Sequence, residues 1–411
     1  MRHLQRATNL ESYTAVAYHV SMKTKWRFRC YPTPEQEQHL ARTFGCCRFV
    51  YNHFLALRTD AYRDGGKSVS YAETDRLLTV LKKQEDRLWL NEVSSVPLQQ
   101  SLRHLQSAFV GFFEKRTAYP SFKRKGNRQS ATYTRSAFRW DADNRRLLIA
   151  KIGRLKVRWS RDVMVEPSSV TITRSPSGRY YVTLTLDLPD PEPLPRTGAV
   201  VGIDLGINRL ATFSTGERIA NPRFLGKRLK QLARLQQKLS RRVKGSWRWH
   251  RQRRKVARFQ ERIADARKDA MDKLTTRLVR EFDVICIEDL HVRGMIQSTL
   301  GRSLSDAALG MFRRMLEYKA ERAGKTVKVI DRFFPSSQLC SRCGHRHSQL
   351  KRGDTRWTCP HCGAEHDRDD NASVNLKAAG HAVSARGGVV SRGEGSPSFR
   401  KPRRTVNRPK A

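Results

Sequence analysis

No stretch of this 411-residue sequence approaches the roughly eighteen consecutive apolar residues that a membrane-crossing helix needs. Its opening, MRHLQRATNLESYTAVAYHVSMK, has basic side chains but no apolar core of the secretory-signal kind. Acids are scarce, 38 Asp and Glu against 81 Lys and Arg, which leaves a formal net charge of +43. A surface this basic repels itself unless it meets a polyanion. Nucleic acid is therefore the expected partner, rather than a membrane or a small-molecule substrate. Cysteine is also sparse: of eight, four fall in one short stretch. The other four, Cys30, Cys46, Cys47 and Cys286, have apolar neighbours and read as buried thiols. That usage predicts a reducing, cytoplasmic setting.

The dense stretch, Phe334 to Leu376, holds two C-x-x-C turns, Cys340 with Cys343 and Cys359 with Cys362. Each turn brings two thiolates to one ion, and fifteen residues between the turns is the spacing of a four-cysteine zinc ribbon. His345, His361 and His366 lie close by, but four thiolates already complete a tetrahedral shell. Directly after the second turn comes His366-Asp-Arg-Asp-Asp-Asn-Ala, an acidic cluster in a basic chain.

Along the chain, residues 1–22 read as an unstructured extension, with Met22 a candidate start. KTKWRFRCY alternates as a strand does. Leu40, Phe44, Cys47, Val50 and Phe54, then Leu98, Leu102, Leu105, Phe109 and Phe112, recur at helical spacing and predict a helical domain over 35–115. PSFKRKGNRQSATYTRSAFRW, from 120 to 140, interleaves basic and aromatic residues, which suits phosphate neutralisation and base stacking. LLIAKI, LKVRW, SVTITR and RYYVTLTL read as short strands, the last two around the turn Ser175-Pro-Ser-Gly178. With the first strand they predict a small β-barrel (23–34 and 116–195) that receives the helical domain as an insertion. A proline-rich linker, 187–195, ends it.

A second domain is expected over 196–333 and 367–384, interrupted by the ribbon at 334–366 and followed by a disordered basic tail, 385–411. VVGIDLG is a buried strand ending in Asp204, and DVICIEDL is apolar on both faces, as in a covered sheet, yet ends in Glu288. Between them, 226–268 is a helical stretch packed with Lys and Arg, a candidate phosphate-contacting surface. A helix is expected from about Ser305 to Ala323, capped by Gly324, and a short one after Leu376. Asp204, Glu288 and one Asp of the 367–370 cluster end or open elements that could converge. Three converging carboxylates raise one another's pKa unless a cation neutralises them, and hard oxygen ligands suit Mg2+ or Mn2+. Two such ions can drive phosphodiester hydrolysis. Spacing alone leaves Asp367, Asp369 and Asp370 all open as the third acid.

YPTPEQ with FGCCRFVYNHFLA, PSFKRKGNRQS, GIDLG, ICIEDLHVRGM, FPSSQLCSRCG, WTCPHCG and HDRDDNASVNL together resemble the TnpB (OrfB) family of transposon-encoded RNA-guided nucleases, from about Lys23 to Ala379. The resemblance implies an α+β multidomain protein: a wedge-like β-barrel with an inserted helical domain, then a ribonuclease H-like (RuvC) α/β domain carrying the zinc ribbon. It implies Asp204, Glu288 and Asp369 as the acidic triad holding two Mg2+ or Mn2+ ions, and Cys340, Cys343, Cys359 and Cys362 as ligands of one structural Zn2+. It also implies a guide non-coding RNA from the transposon's own end, a double-stranded DNA target read beside a short motif, and association with the nucleoid. Lys23 to Tyr31 and the helix at 48–58 are where motif contacts are expected. His291 stands where the family often has Asn. Two other readings use the same scaffold. A nuclease-independent RNA- or DNA-binding regulator would not need Asp204. An accessory transposase would need a nucleophilic tyrosine, and Tyr180 and Tyr181 lie in a hairpin without a His-x-His partner.

Overall fold

The computed structural model describes residues 21–297, 301–351 and 353–385, and the chain divides into two compact units. The extension up to residue 20 and the tail from 386 lie outside the described residues.

The first unit comprises the chain up to Glu192 together with Phe224–Ala270. It opens with β1 (Ser21–Tyr31). Helix α1 (Pro34–Gly65) follows at once because its start is over-determined: Thr33 Oγ1 accepts from the Gln36 N–H, the Gln36 side chain accepts from the Thr33 N–H, and Pro34 takes the first helical position. Gly66 ends it at φ 63°, left-handed backbone that only glycine adopts without strain. Helices α2 (Tyr71–Leu81) and α3 (Ser95–Phe113) complete the insertion. Leu40, Phe44, Cys47, Val50 and Phe54 of α1 and Leu98, Leu102, Leu105 and Phe109 of α3 are buried, as the periodicity predicts, whereas Phe112 is only half-buried.

Strands β2 (Gln129–Thr134), β3 (Phe138–Asp141), β4 (Arg146–Ile149), β5 (Gly153–Arg158), β6 (Ser169–Arg174) and β7 (Tyr180–Pro189) join β1 in a seven-stranded sheet ordered β2-β6-β7-β1-β5-β4-β3. Its two edges, β2 and β3, are consecutive in the chain and only Arg135–Ala137 separate them, so the sheet must curl until its edges nearly meet. Tyr180, Val182, Leu184 and Leu186 of β7 alternate inward and share one core with Phe28, Cys30 and the helices. The basic-aromatic segment divides: 120–128 form a loop, and the remainder enters β2 and β3. α4 (Leu229–Ser240) and α5 (Trp247–Glu281) form the basic helical stretch, and residues 224–270 group with this first unit. Glu261 of α5 accepts hydrogen bonds from Ser177 Oγ and Tyr181 Oη of the β6–β7 hairpin.

The second unit comprises Pro193–Arg223 and the chain from Met271 onward. β8 (Val200–Leu205), β9 (Arg209–Phe213), β10 (Arg218–Ala220), β11 (Val284–Glu288) and β12 (Thr326–Ile330) form a mixed sheet ordered β10-β9-β8-β11-β12. β8, β11 and β12 are parallel, and β9 and β10 turn back as an antiparallel meander. This is the α/β sheet expected of the ribonuclease H-like half. α6 (Val292–Met295) is a single turn. The helix expected over 305–323 is two, α7 (Gly301–Ala307) and α8 (Leu309–Arg322), because Ala308 adopts left-handed backbone at φ 57°. The ribbon contributes one hairpin, β13 (Arg356–Thr358) with β14 (Glu365–Asp367). The short helix expected after Leu376 is the second half of α9 (Arg368–Ala385), which starts inside the acidic cluster.

Two glycines set the depth at which α9 lies on the sheet. A Cβ on Gly202 of β8 would fall 2.0 Å from the Ser373 carbonyl and 2.5 Å from the Lys377 N. A Cβ on Gly380 of α9 would collide with Cys286 Sγ of β11. At Gly202 the strand and helix backbones touch directly, and at Gly380 the helix backbone rests on the Cys286 side chain.

Candidate acidic site and cysteine cluster

In the parallel ladder Ile203 stands opposite Ile287, so Asp204 and Glu288 come next, side by side, at the carboxyl ends of β8 and β11. Asp369, the second residue of α9, faces the same end because the glycine contacts fix the helix on β8. Burial, then the charges of Asp369 and Glu288, push the Asp204 carboxyl up to about 7. Burial raises Glu288, with a further push from Asp289. Burial also raises Asp369, followed by Asp367. Three partly buried acids that each resist ionisation are held together by the fold at a cost, a pattern that clusters at working sites.

The structure separates the three aspartates of the cluster. Asp367 is tied down: Arg209 donates to it through Nη1 at 3.1 and 3.2 Å and through Nη2 at 3.2 Å. Its Oδ1 also accepts from the N–H groups of Asp369 and Asp370, at 3.2 and 3.4 Å, so it caps α9. Burial pushes its carboxyl up, but the Arg209 hydrogen bonds and the Asp370 N–H outweigh burial and hold it below the usual range. Asp370 is paired with Arg218, whose Nε lies 3.0 Å from Oδ1. Asp369 alone of the cluster bears on Asp204, and its single cationic neighbour within ion-pair distance, among the described residues, is Arg209 at 3.6 Å. Arg209 and Arg218 were not singled out in the sequence. Both pair across more than 150 residues with the cluster, and nothing local marks them.

The neighbouring acid, Asp289, does not join the three. Arg313 and Arg332 hydrogen-bond it, and it is held below the usual range, first by Arg313, with burial opposing.

The four cysteine Sγ atoms lie within 4.8 Å of one another. The two turns are built alike. Gly344 N–H donates to the Cys340 carbonyl and Gly363 N–H to the Cys359 carbonyl, each at 2.9 Å, and both glycines have positive φ, 75° and 69°. Cys340 to Cys362 and Cys343 to Cys359 are each 3.7 Å apart between sulfurs. A tetrahedron of sulfurs at the Zn–S distance of about 2.3 Å has edges of about 3.8 Å, so the donor set fits a tetrahedral metal ion. His366 lies behind the cluster, its Nε2 3.1 Å from Cys340 Sγ and its ring 4.7 Å from that of Trp357.

Sequence reading also missed Asn371 and Asn375, whose spacing of four puts both on one face of α9. Both are buried. Asn371 Oδ1 accepts from the Ser341 N–H and its Nδ2 donates to the Leu339 carbonyl, at 2.9 and 2.7 Å. Asn375 Nδ2 donates to the carbonyls of Ser336 and Leu339, at 2.8 and 2.6 Å. Two buried amides thus bolt the first cysteine turn to the helix that carries Asp369.

Three family models match. Residues 183–299 match OrfB_IS605, described as "Probable transposase". Residues 310–376 match the "Cas12f1-like, TNB domain", and 22–67 match a "Helix-turn-helix domain". In this chain the last segment is β1 followed by the single long helix α1. A relative from Streptomyces pristinaespiralis, named "Putative RNA-guided DNA endonuclease", is 49% identical over 89% of this chain and 91% of its own length. The chain belongs to the OrfB (TnpB) family. InsQ of Escherichia coli, which carries the same name, is 34% identical over 90% of this chain and 95% of its own. Among solved structures, Cas12f1 in a complex with sgRNA and target DNA aligns with a TM-score of 0.54 at 12% identity, over 87% of this chain and 99% of that one. An RNA-guided endonuclease described as CRISPR-Cas_phi3 aligns at 0.51 and 8%, over 88% and 92%. At such identity the alignment establishes a shared fold for this OrfB-family chain.

Proposed function

We propose that the chain is the RNA-guided DNA endonuclease of a transposable element, and that it hydrolyses target-DNA phosphodiester bonds beside a short motif. What supports this is the Asp204 carboxyl at the end of β8, which burial and then the charges of Asp369 and Glu288 push up to about 7. Such a cluster attracts divalent cations, because cation charge relieves the repulsion that the fold imposes. The three carboxylates would hold one or two Mg2+ or Mn2+ ions, which when bound supply water activation and stabilisation of the leaving oxygen. The chain's own part is to keep the acids together, to give up the proton on Asp204 as the cations bind, and to keep Asp367 and Asp370 engaged by arginine so that they do not compete. One Zn2+ would be held by Cys340, Cys343, Cys359 and Cys362, and its role would be structural: through Asn371 and Asn375 the ribbon steadies the first turns of α9, where Asp369 stands.

In this reading the curled sheet and its helical insertion serve as wedge and recognition domains, and Lys23 to Tyr31 with the 48–58 part of α1 contact the target-adjacent motif. The named relatives and the +43 charge support nucleic-acid partners, a guide RNA and a duplex DNA target. The deciding experiment sequences the RNA that copurifies with protein expressed from its native locus. It then offers that complex a DNA library with Mg2+. One dominant RNA and guide-dependent cutting next to a fixed motif is the expected result; a defined RNA with no cutting would instead favour a regulator.

A further inference from the structure

The first unit contains a cavity of about 440 Å³ whose walls include Lys125, Arg174, His250, Arg253 and Arg254 and no carboxylate. Its volume falls in the range of roughly 300–1,000 Å³ typical of ligand clefts, so it holds more than a lone ion. Among the described residues no acid pairs with the lysine or the three arginines. Glu261, on the same helix as Arg253 and Arg254, is committed elsewhere: it accepts from Ser177 and Tyr181 and lies 3.5 Å from Arg179.

The cavity is built, not merely basic. The Gln129 amide donates to the carbonyls of Arg124 and Asn127, at 3.1 and 2.9 Å, and so closes the 124–127 turn. Arg253 Nη2 donates to the Gly126 carbonyl at 3.0 Å, and its guanidinium lies 5.3 Å from the centre of the Trp249 ring. Arg258 Nε donates to the Ser177 carbonyl at 3.2 Å and secures the opposite rim. One guanidinium fixed in place, that of Arg253, with Lys125, Arg174 and Arg254 around the same concave, acid-free space suits phosphate oxygens arriving one after another along a chain.

We propose that this cavity is a dedicated site for the sugar–phosphate backbone of a nucleic-acid strand, with Lys125, Arg174, Arg253 and Arg254 as its phosphate ligands. The proposal rests on the nucleic-acid reading of the function and adds a location to it.

Gly126 provides a test that leaves net charge untouched. A Cβ there would sit 2.4 Å from Arg253 Nη2, the far end of a flexible side chain, so Gly126→Ala displaces the guanidinium rather than the backbone. The full-length protein would be titrated with labelled single-stranded RNA and with duplex DNA of equal length, across a salt series. Gly126→Ala should weaken binding about three- to ten-fold. Arg174→Ala with Arg254→Ala should weaken it about ten-fold or more and flatten the salt slope by about 0.7–0.9 for each phosphate no longer neutralised. Arg146→Ala, an exposed arginine on β4, serves as the control for charge alone. Loss on RNA only, on DNA only, or on both sustains the site and names the polymer it takes. Wild-type affinity for both polymers in Gly126→Ala overturns it, whatever the charge variants do. Guided cleavage by the wild type is scored separately, so the cavity can fail while the nuclease reading stands, and the reverse.

Discussion

The fold uses its arginines in two contrasting ways. At the start of α9 they are consumed in pairs, Arg209 with Asp367 and Arg218 with Asp370. Around the α5 cavity, Arg253 meets a carbonyl and an indole ring and Arg174 lies over a tyrosine ring, and no carboxylate lines the wall. In a chain with 81 bases and 38 acids, a cation's presence says little; what it is paired with says more. Paired arginines fix backbone geometry, and those without an acid in a concave wall keep their charge for a ligand. The acids divide in a similar way: Asp367 and Asp370 are held by arginine hydrogen bonds and set the helix start, whereas Asp369, which Arg209 only approaches at 3.6 Å, is proposed with Asp204 and Glu288 to bind metal.

Substitution at the acids is the strongest way to break this distinction. Asp204→Ala, Glu288→Ala and Asp369→Ala should each reduce guided cleavage by at least about a thousand-fold, with DNA binding retained. Asp367→Asn and Asp370→Asn should cost about ten-fold or less, through a poorly set helix start. Equal losses at all five positions would erase the contrast. Next in size, Cys340→Ser should lose the bound zinc, measured by elemental analysis, and several kcal/mol of stability in the second unit. Unchanged zinc content would remove Cys340 from the ligand set.

A smaller effect probes the arginine side. Arg209→Gln leaves the Asp367 carboxylate, nearly buried, without its fork and should raise the Mg2+ concentration for half-maximal cleavage about ten-fold, while Arg209→Lys recovers part of it. An unchanged Mg2+ requirement would make Arg209 incidental. The smallest effect is a pH dependence. Folded, Asp204 keeps its proton to about pH 7; unfolded, it loses it near 3.9. The folded state therefore binds more protons between those values, and in magnesium-free buffer stability falls as pH rises from about 4 to 7. Asp204→Asn abolishes that loss. It should raise the melting temperature at about pH 8 by about 2–4 °C and leave it unchanged at about pH 4.

Much of this architecture is legible in the sequence because its signals are local. The cysteine turns declare themselves by spacing, α1 by the helical recurrence of Leu40, Phe44, Cys47, Val50 and Phe54, and the inward face of β7 by alternation. The acids could be nominated because a carboxylate at the end of a buried strand is an anomaly that needs a reason. What stayed hidden is non-local. Nothing in the sequence joins Arg209 to Asp367, since that pairing exists only once β9 lies beside the start of α9. The break at Ala308 falls on a residue that is neither glycine nor proline. The depth at which α9 seats on Gly202 is visible only as a helix–strand distance.

That seating has a consequence for how the protein is made. Asp204, Glu288 and the whole α5 cavity precede the ribbon in the chain, whereas Asp369 and the two asparagines that hold its helix follow it. A partly synthesised chain can thus present its cationic surfaces before its acidic site is complete. On the two proposed sites, a chain ended before the ribbon would carry the phosphate-binding cavity and lack Asp369.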